Sequence, residues 1–521
     1  MRNPLAVARR VATGPKVRAG YAAASFTRLT GDWFASALSA DQELKGSLRT
    51  LRGRSRELER DNPHWAGLIA QLKNEIVGWA EDGIGMDATN KAADGTLLTA
   101  LNQQLENAFE RWGEPETCSA DGQNSWGEMQ RLVLGTAARD GECFGRRLRG
   151  FNNPYGYSVQ LIDADLVDEM LNILPTTGQN EIRMGVEIDR WGRPVAYWVW
   201  TRAIGEGQRE RVRIPADQMF HVFLQLRPGQ TRGVPWGTPA MLTNRLLDKY
   251  TEAEVTQAII AASAGGFFVT KGQDNIEASP LLQVQSTDKV NPDKIVMDAE
   301  PGLARALPIG MEFQEWDPTH PNANYAGFKK AILATIGRAV SAFGPLSYPG
   351  ASGDLEGVNF SSGKMGLHGD RDGYRAAARW LTTRLHRIVY RDWVAQAQLA
   401  GAIRLPSFTA ADWTACRWEY RGWAPLQSLE EIQAAEYRVK LGVDNRRRIA
   451  AEAGIDLDDN FEALELEQQE AKQRGIDVSG ADKKLGVVPP PEDGSSGFPP
   501  KNTNGNGAKG HRVDPALLGA L

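Results

Sequence analysis

The sequence predicts an α+β protein, mostly helical, and three patterns carry that expectation. Trp65, Ile69, Leu72, Ile76 and Trp79 step by four, three, four and three residues, which sets them on one helix face. Tyr374, Ala378, Leu381, Leu385 and Ile388 repeat those steps inside a helix expected over roughly 363–400. Between them, Ile182, Met184, Val186 and Ile188 alternate with Arg183, Gly185, Glu187 and Asp189, the period of a half-buried strand. At 521 residues the chain exceeds what one hydrophobic core supports, and its 41% hydrophobic and 24% charged content is that of ordinary folded protein.

Taken in order, the chain opens with six basic residues and no acid before Asp32. That is the composition of a transit peptide or of a mobile basic arm; without a continuous apolar run it is not a secretory signal. After the first helix, "EDGIGM" breaks the chain at Gly83 and Gly85. Helices follow over Leu98–Trp112 and Trp126–Arg139. "EIRMGVEID" reads as a strand, "RWGRP" as a turn and "VAYWVWT" as the returning strand, and "RVRIPADQMFHVFL" adds one or two more strands up to Leu224. Past "RPGQTRGVPWGTP" a helix carries Leu242, Leu246, Tyr250 and Ala253 in register, and short strands are expected across 264–312. "DPTHPNAN" caps a helix in which Tyr325, Phe328, Ile332, Ile336 and Phe343 share a face, with Gly344-Pro345 at its end. Helical pattern returns from Ser428 to Arg474 with an acidic crowd (Asp456, Asp458, Asp459, Glu462, Glu465, Glu467, Glu470). Residues 481–521, rich in Pro, Gly and Asn, read as a flexible tail. The longest charge-free apolar stretch, 255–270, has 16 residues, short of the roughly 20 that cross a bilayer, so no membrane partner is expected.

Catalytic constellations are scarce. "GVNFSSGKMG" (357–366) looks at first like a phosphate-binding loop, but five residues separate Gly357 from Gly363 and Met365 stands where a Mg²⁺-binding hydroxyl is needed. There is no HExxH, GxSxG or CxxC, and the histidines at 64, 221, 320, 368, 386 and 511 lack metal-ligand spacing, so neither metal nor cofactor is expected. Cys118, Cys143 and Cys416 are odd in number and far apart, which suits a reducing compartment. Cys143 has Arg146 and Arg147 nearby, which favour a thiolate, yet a small buried apolar Cys fits the position as well. Asp163 and Asp165 sit two apart at a strand end, where they suit a metal or acid–base pair, or a turn that bonds its own backbone. Arg371, Arg375, Arg379, Arg384, Arg387 and Arg391 form a basic run that suits phosphates, acids of a neighbouring chain or, most commonly for such runs, a solvated face; Asp370, Asp372 and Asp392 within it favour ion pairing over phosphate gripping. A net charge of −5 likewise argues against a protein that clamps DNA.

The order of segments is more informative. "RELERDNPHWAGLIAQLKNEIVGWAEDGIGM" resembles the N-terminal signature of the lambda-type family of tailed-phage portal proteins. The stretch from "VQLIDADLVD" through "RPGQTRGVPW" (227–236) resembles that family's core. "DLEGVNFSSGKMGL" is similar to its D-x-x-x-N-Y-S-S-x-R motif, with Phe360 for the aromatic residue and Lys364 for the arginine. Lys does not reproduce a bidentate Arg contact. The likeness covers about 20–475.

The resemblance implies a non-enzymatic ring of about twelve subunits at one capsid vertex, with wing, stem, clip and crown regions around an axial channel. Double-stranded DNA would be pumped through it by terminase, and the large terminase subunit, head-completion and tail adaptor proteins, and major capsid and scaffold proteins are the implied partners. The implied location is the virion, after assembly in the bacterial cytoplasm. Carried onto this chain, the regions are a basic arm (1–40), wing (41–238), first stem helix (239–263), clip (264–312), second stem helix (313–343), tunnel loop (344–362), long wing helix with crown helices (363–480) and tail (481–521). Asp354, Glu356, Asn359, Phe360, Ser361, Ser362 and Lys364 are then the expected channel-lining residues, in a bendable loop, with Lys364 either in weak contact with a passing phosphate or paired to an acid such as Asp354 or Glu356 of a neighbouring subunit. Two other readings remain at this point: another capsid or tail component, and a hydrolase using Cys143 or the Asp163/Asp165 pair.

Overall fold

The computed structural model describes residues 37–79, 83–263, 267–270, 311–314, 324–406, 413–423, 428–455 and 457–474. Most of the basic arm, most of the clip and the tail therefore lie outside the described residues. The chain divides into one unit through residue 456 and a second that contributes the helix Leu457–Arg474.

The described elements are, in order, α1 (Ala40–Leu44), α2 (Leu48–Asp61), α3 (Pro63–Ile76), β1 (Gly85–Ala88), α4 (Thr99–Trp112), α5 (Pro115–Cys118), α6 (Trp126–Asp140), β2 (Glu142–Arg149) and β3 (Tyr157–Ile162). They continue with β4 (Glu181–Arg183), β5 (Val186–Ile188), β6 (Pro194–Trp200), β7 (Arg211–Pro215), β8 (Met219–Phe223), α7 (Thr238–Ser263), β9 (Phe267–Thr270), β10 (Met311–Gln314) and α8 (Tyr325–Val340). The last are α9 (Tyr348–Ser352), α10 (Phe360–Leu381), α11 (Arg387–Leu399), β11 (Cys416–Glu419), α12 (Ser428–Lys440), α13 (Arg446–Ala453) and α14 (Leu457–Arg474). Strands pair antiparallel as β3-β2-β8, β4-β5-β6-β7, β1-β11 and β9-β10.

Local chemistry explains the helix ends. Asn62 caps α3 by accepting from the Trp65 amide at 2.8 Å, with Pro63 fixing the first turn. Ser125 and Glu128 form a reciprocal capping box on α6. That helix stops at Gly141, whose φ is 91° and whose Cα faces the Val234–Pro235 backbone too closely for any Cβ. The run "RPGQTRGVPW" is thereby laid against the α6–β2 junction.

The main core joins α3, α4, α6, α10 and α11. Its centre is aromatic: the Phe109 ring stacks on Trp112 at 5.2 Å and meets Tyr390 and Trp393 edge-on at 5.4 and 5.0 Å. A second core, with Phe144, Val186, Ile188, Tyr197 and Ile214, lies between the three-stranded and four-stranded sheets.

Four expectations need correction. Residues 181–188 form two strands, because Met184 and Gly185 both take positive φ (46° and 81°) and close a two-residue hairpin loop. The even-numbered side chains stay buried in both arms, which imitates one continuous strand. Trp79 lies beyond the end of α3 and is 69% exposed. On α7 the buried positions include Ala240, Met241, Asn244 and Leu247, while Leu242 and Leu246 face outward. The long helix starts at Phe360, earlier than expected, and is interrupted by a π turn at Thr382–His386. That extra residue shifts the buried stripe from Ile388 to Val389, Tyr390 and Trp393.

Candidate functional site

The segment between α8 and α10 is a hydrogen-bonded staple, not a loose loop. Ser347 caps α9 by accepting from Gly350 N at 3.2 Å. Its own amide donates to Asp370 Oδ1 at 2.7 Å, and its hydroxyl donates to Asp370 Oδ2. Asp370 therefore bonds the segment rather than the arginine run, and burial pushes its carboxyl above the ordinary range despite the Ser347 donors.

Asp354 closes the next turn. It accepts from Glu356 N at 2.8 Å and from the Tyr348 hydroxyl at 2.7 Å, and these donors hold its carboxyl below its ordinary value. Lys330 on α8 donates to the Glu356 carbonyl at 3.1 Å and lies 4.8 Å from the centre of the Tyr348 ring. Asn359 is the N-cap of α10, accepting from Ser362 N at 2.8 Å and from the Ser362 hydroxyl at 2.7 Å. Phe360, Ser361, Ser362 and Lys364 consequently occupy the first turns of the helix; the irregular backbone ends at Val358. Phe360 and Met365 project into solvent at 55% and 77% exposure. Lys364 lies 2.8 Å from Glu431 on α12 of its own chain.

The other sequence-derived residues are committed to packing. Cys143 is buried, and burial pushes its thiol far above its ordinary range, so Arg146 and Arg147 do not make it a thiolate. Asp163 accepts from Asp165 N at 2.8 Å in a turn. Arg56 then bridges Asp163 at 2.9 Å, Asp165 at 2.7 Å and the buried Asp140 at 2.7 Å, while Arg52 also bonds Asp165. Among the described residues, no group of three or more His, Cys, Asp or Glu side chains is arranged to hold a metal ion.

Behind this pair lies a buried charge centre that the sequence gives little sign of. Glu142, fully buried at the start of β2, accepts from Arg52 at 3.0 Å, Arg232 at 2.6 Å, His221 at 2.9 Å and Gly233 N at 2.9 Å. Arg232 is also fully buried and spends its remaining donors on the Met184 and Ala164 carbonyls. Arg52 comes from the arginine-rich α2, Arg232 from "RPGQTRGVPW" and Glu142 from the α6–β2 junction. This carboxylate thus ties Arg52 of α2, four residues ahead of "RELERDNPHW", to the run "RPGQTRGVPW".

The arginine run splits in use. Arg371 and Arg375 lie 5.4 and 5.1 Å from the centre of the Trp423 ring, and Asp392 is held by Arg147 at 3.0 Å and Arg149 at 3.1 Å. Arg375 pairs with Asp372. Arg384 and Arg391 are exposed at the mouth of a cavity.

Residues 26–377 match the profile of the family described as phage portal protein, lambda family. A probable portal protein of Halomonas phage phiHAP-1 is 31% identical over 457 residues, 86% of each chain. Portal protein B of Escherichia phage lambda is 20% identical over 484 residues, covering 85% of this chain and 88% of that one. Among solved structures, the neck of a native GTA particle, computed with C12 symmetry, is similar at 12% identity and a TM-score of 0.46, over 79% of this chain and 94% of that one.

Proposed function

Since this chain belongs to the lambda family of phage portal proteins, the head–tail connectors of phage particles, we propose that its copies close a ring at one capsid vertex and that double-stranded DNA enters and leaves through the axial channel. The single observation that carries the ring is the outward apolar surface of the packed pair α7 and α8. Leu242, Leu246 and Phe328 are 71%, 57% and 49% exposed in the lone chain. A neighbouring copy supplies their cover in a head-to-tail contact, and repetition of that contact closes the ring.

In this reading α7 and α8 are the stem, residues 41–238 the wing, 264–312 the clip, and α10 to α14 the long wing helix and the crown. The channel segment is trimmed to 344–358 with the first turn of α10 below it, so Asp354, Glu356, Asn359 and Phe360 to Lys364 approach the DNA from a capped helix end. Terminase, adaptor and capsid proteins act on the outside of this ring, in the virion and during assembly. The chain's net charge of −5 suits a conduit, in which a polyanion must slide without being gripped.

Electron microscopy and light scattering of the purified protein test the proposal. The expected particle is a ring of roughly 0.7 MDa for about twelve 57.1 kDa chains. A monodisperse monomer across a wide range of concentration and salt overturns it.

A further inference from the structure

We propose that the cavity between β8, the β5–β6 hairpin and the π turn with α11 is a binding site for the phosphate of a nucleotide, either free or within a DNA strand. The cavity measures about 470 Å³. Arg147, Arg384 and Arg391 line it on the polar side with Thr231, and Tyr197 and Phe223 stand among its apolar lining.

Charge and unused donors specify the ligand. Arg384 and Arg391 are exposed, and neither makes a hydrogen bond or ion pair among the described residues. The lining carboxylate, Asp392, is engaged by Arg147 and Arg149, so it does not cancel the two free guanidiniums. Among the described residues the Nε of Arg147 and the hydroxyl of Thr231 are buried and have no hydrogen-bond partner, and Thr231 as a residue is 9% exposed. Buried donors left unpaired cost free energy unless a ligand or water meets them. His221 adds no charge: burial lowers its proton affinity, Glu142 opposes that, and Arg232 and Arg384 reinforce it. Two free guanidiniums and spare N–H and O–H donors beside aromatic carbon match an oxyanion carried on a flat apolar body, which a nucleotide is.

Isothermal titration of the full-length protein tests this, with inorganic phosphate, deoxyadenosine monophosphate, a short duplex and a glutamate-rich peptide as probes. Saturable binding of the mononucleotide is expected, and Arg384→Ala with Arg391→Ala should weaken it on the order of tenfold or more. Arg379→Ala, outside the cavity, should leave it unchanged, and Thr231→Val should weaken it less than the double variant. Displacement of the mononucleotide by duplex assigns the site to DNA backbone; failure of duplex to compete assigns it to a free nucleotide. Absence of saturable binding by both phosphate and mononucleotide overturns the proposal. So does undiminished binding by the folded double variant, or binding of the acidic peptide alone.

Discussion

At the scale of single residues, the sharpest consequences concern Glu142. Replacing it by Gln leaves Arg232 buried without a counter-charge and takes one of Arg52's carboxylate partners, which should cost about 3–5 kcal/mol in chemical unfolding. Burial by itself would raise the Glu142 carboxyl; Arg232 and His221 overcome that and hold it below its ordinary 4.5. The folded chain therefore binds fewer protons at this group than the unfolded one. Its contribution is complete above about pH 4.5 and is lost as pH falls below that value, so the Gln variant should show a shallower acid slope than the parent. Lys364 is a different case. Its partly exposed pair with Glu431 is worth no more than about 1 kcal/mol. Lys364→Ala should leave melting and ring yield near normal while lowering the number of filled capsids; failure of the ring to assemble would make the residue structural.

At the scale of elements, the π turn at Thr382–His386 makes an unusual prediction. It holds one residue more than an α turn, and Thr383 is, with Arg384, one of its two exposed members. Deleting Thr383 should restore a plain α-helix and keep Leu381, Val389 and Trp393 on the buried face. Deleting Arg375 instead turns everything after it by about 100°. Thermal unfolding should find the first deletion folded and the second severely destabilised; equal damage from both would refute the account. The staple of Ser347 on Asp370 is likewise an element-level device. Asp370→Ala leaves the Ser347 donors unpaired, should cost about 1–3 kcal/mol, and should speed amide exchange across 347–358 relative to the rest of α10.

For the whole molecule, the question is which apolar surface stays bare until copies meet. Leu242→Glu and Leu246→Glu alter side chains that touch solvent in the lone chain, so the secondary structure seen by circular dichroism should be unchanged. Ring yield in light scattering should fall steeply, because each charge would be carried into a contact repeated around the ring. Normal rings from both variants would remove the observation on which the proposed assembly rests.

What the sequence alone determined is what short-range chemistry controls. Asn62, Ser125 and Asn359 cap helices because each side chain reaches an amide three residues on, and such reach is readable from spacing. The order of motifs was enough to suggest the family that the comparisons support. Tertiary structure alone decided three things. It turned Asn244 inward and Leu242 outward on α7, because α8 lies on that side and hydrophobicity does not specify the partner's direction. It split 181–188 into a hairpin, because alternation survives a two-residue turn and looks the same on either side of it. It gathered Arg52, His221 and Arg232 from three separate stretches onto the Glu142 carboxylate, and local periodicity carries no record of contacts between residues 79 to 90 positions apart.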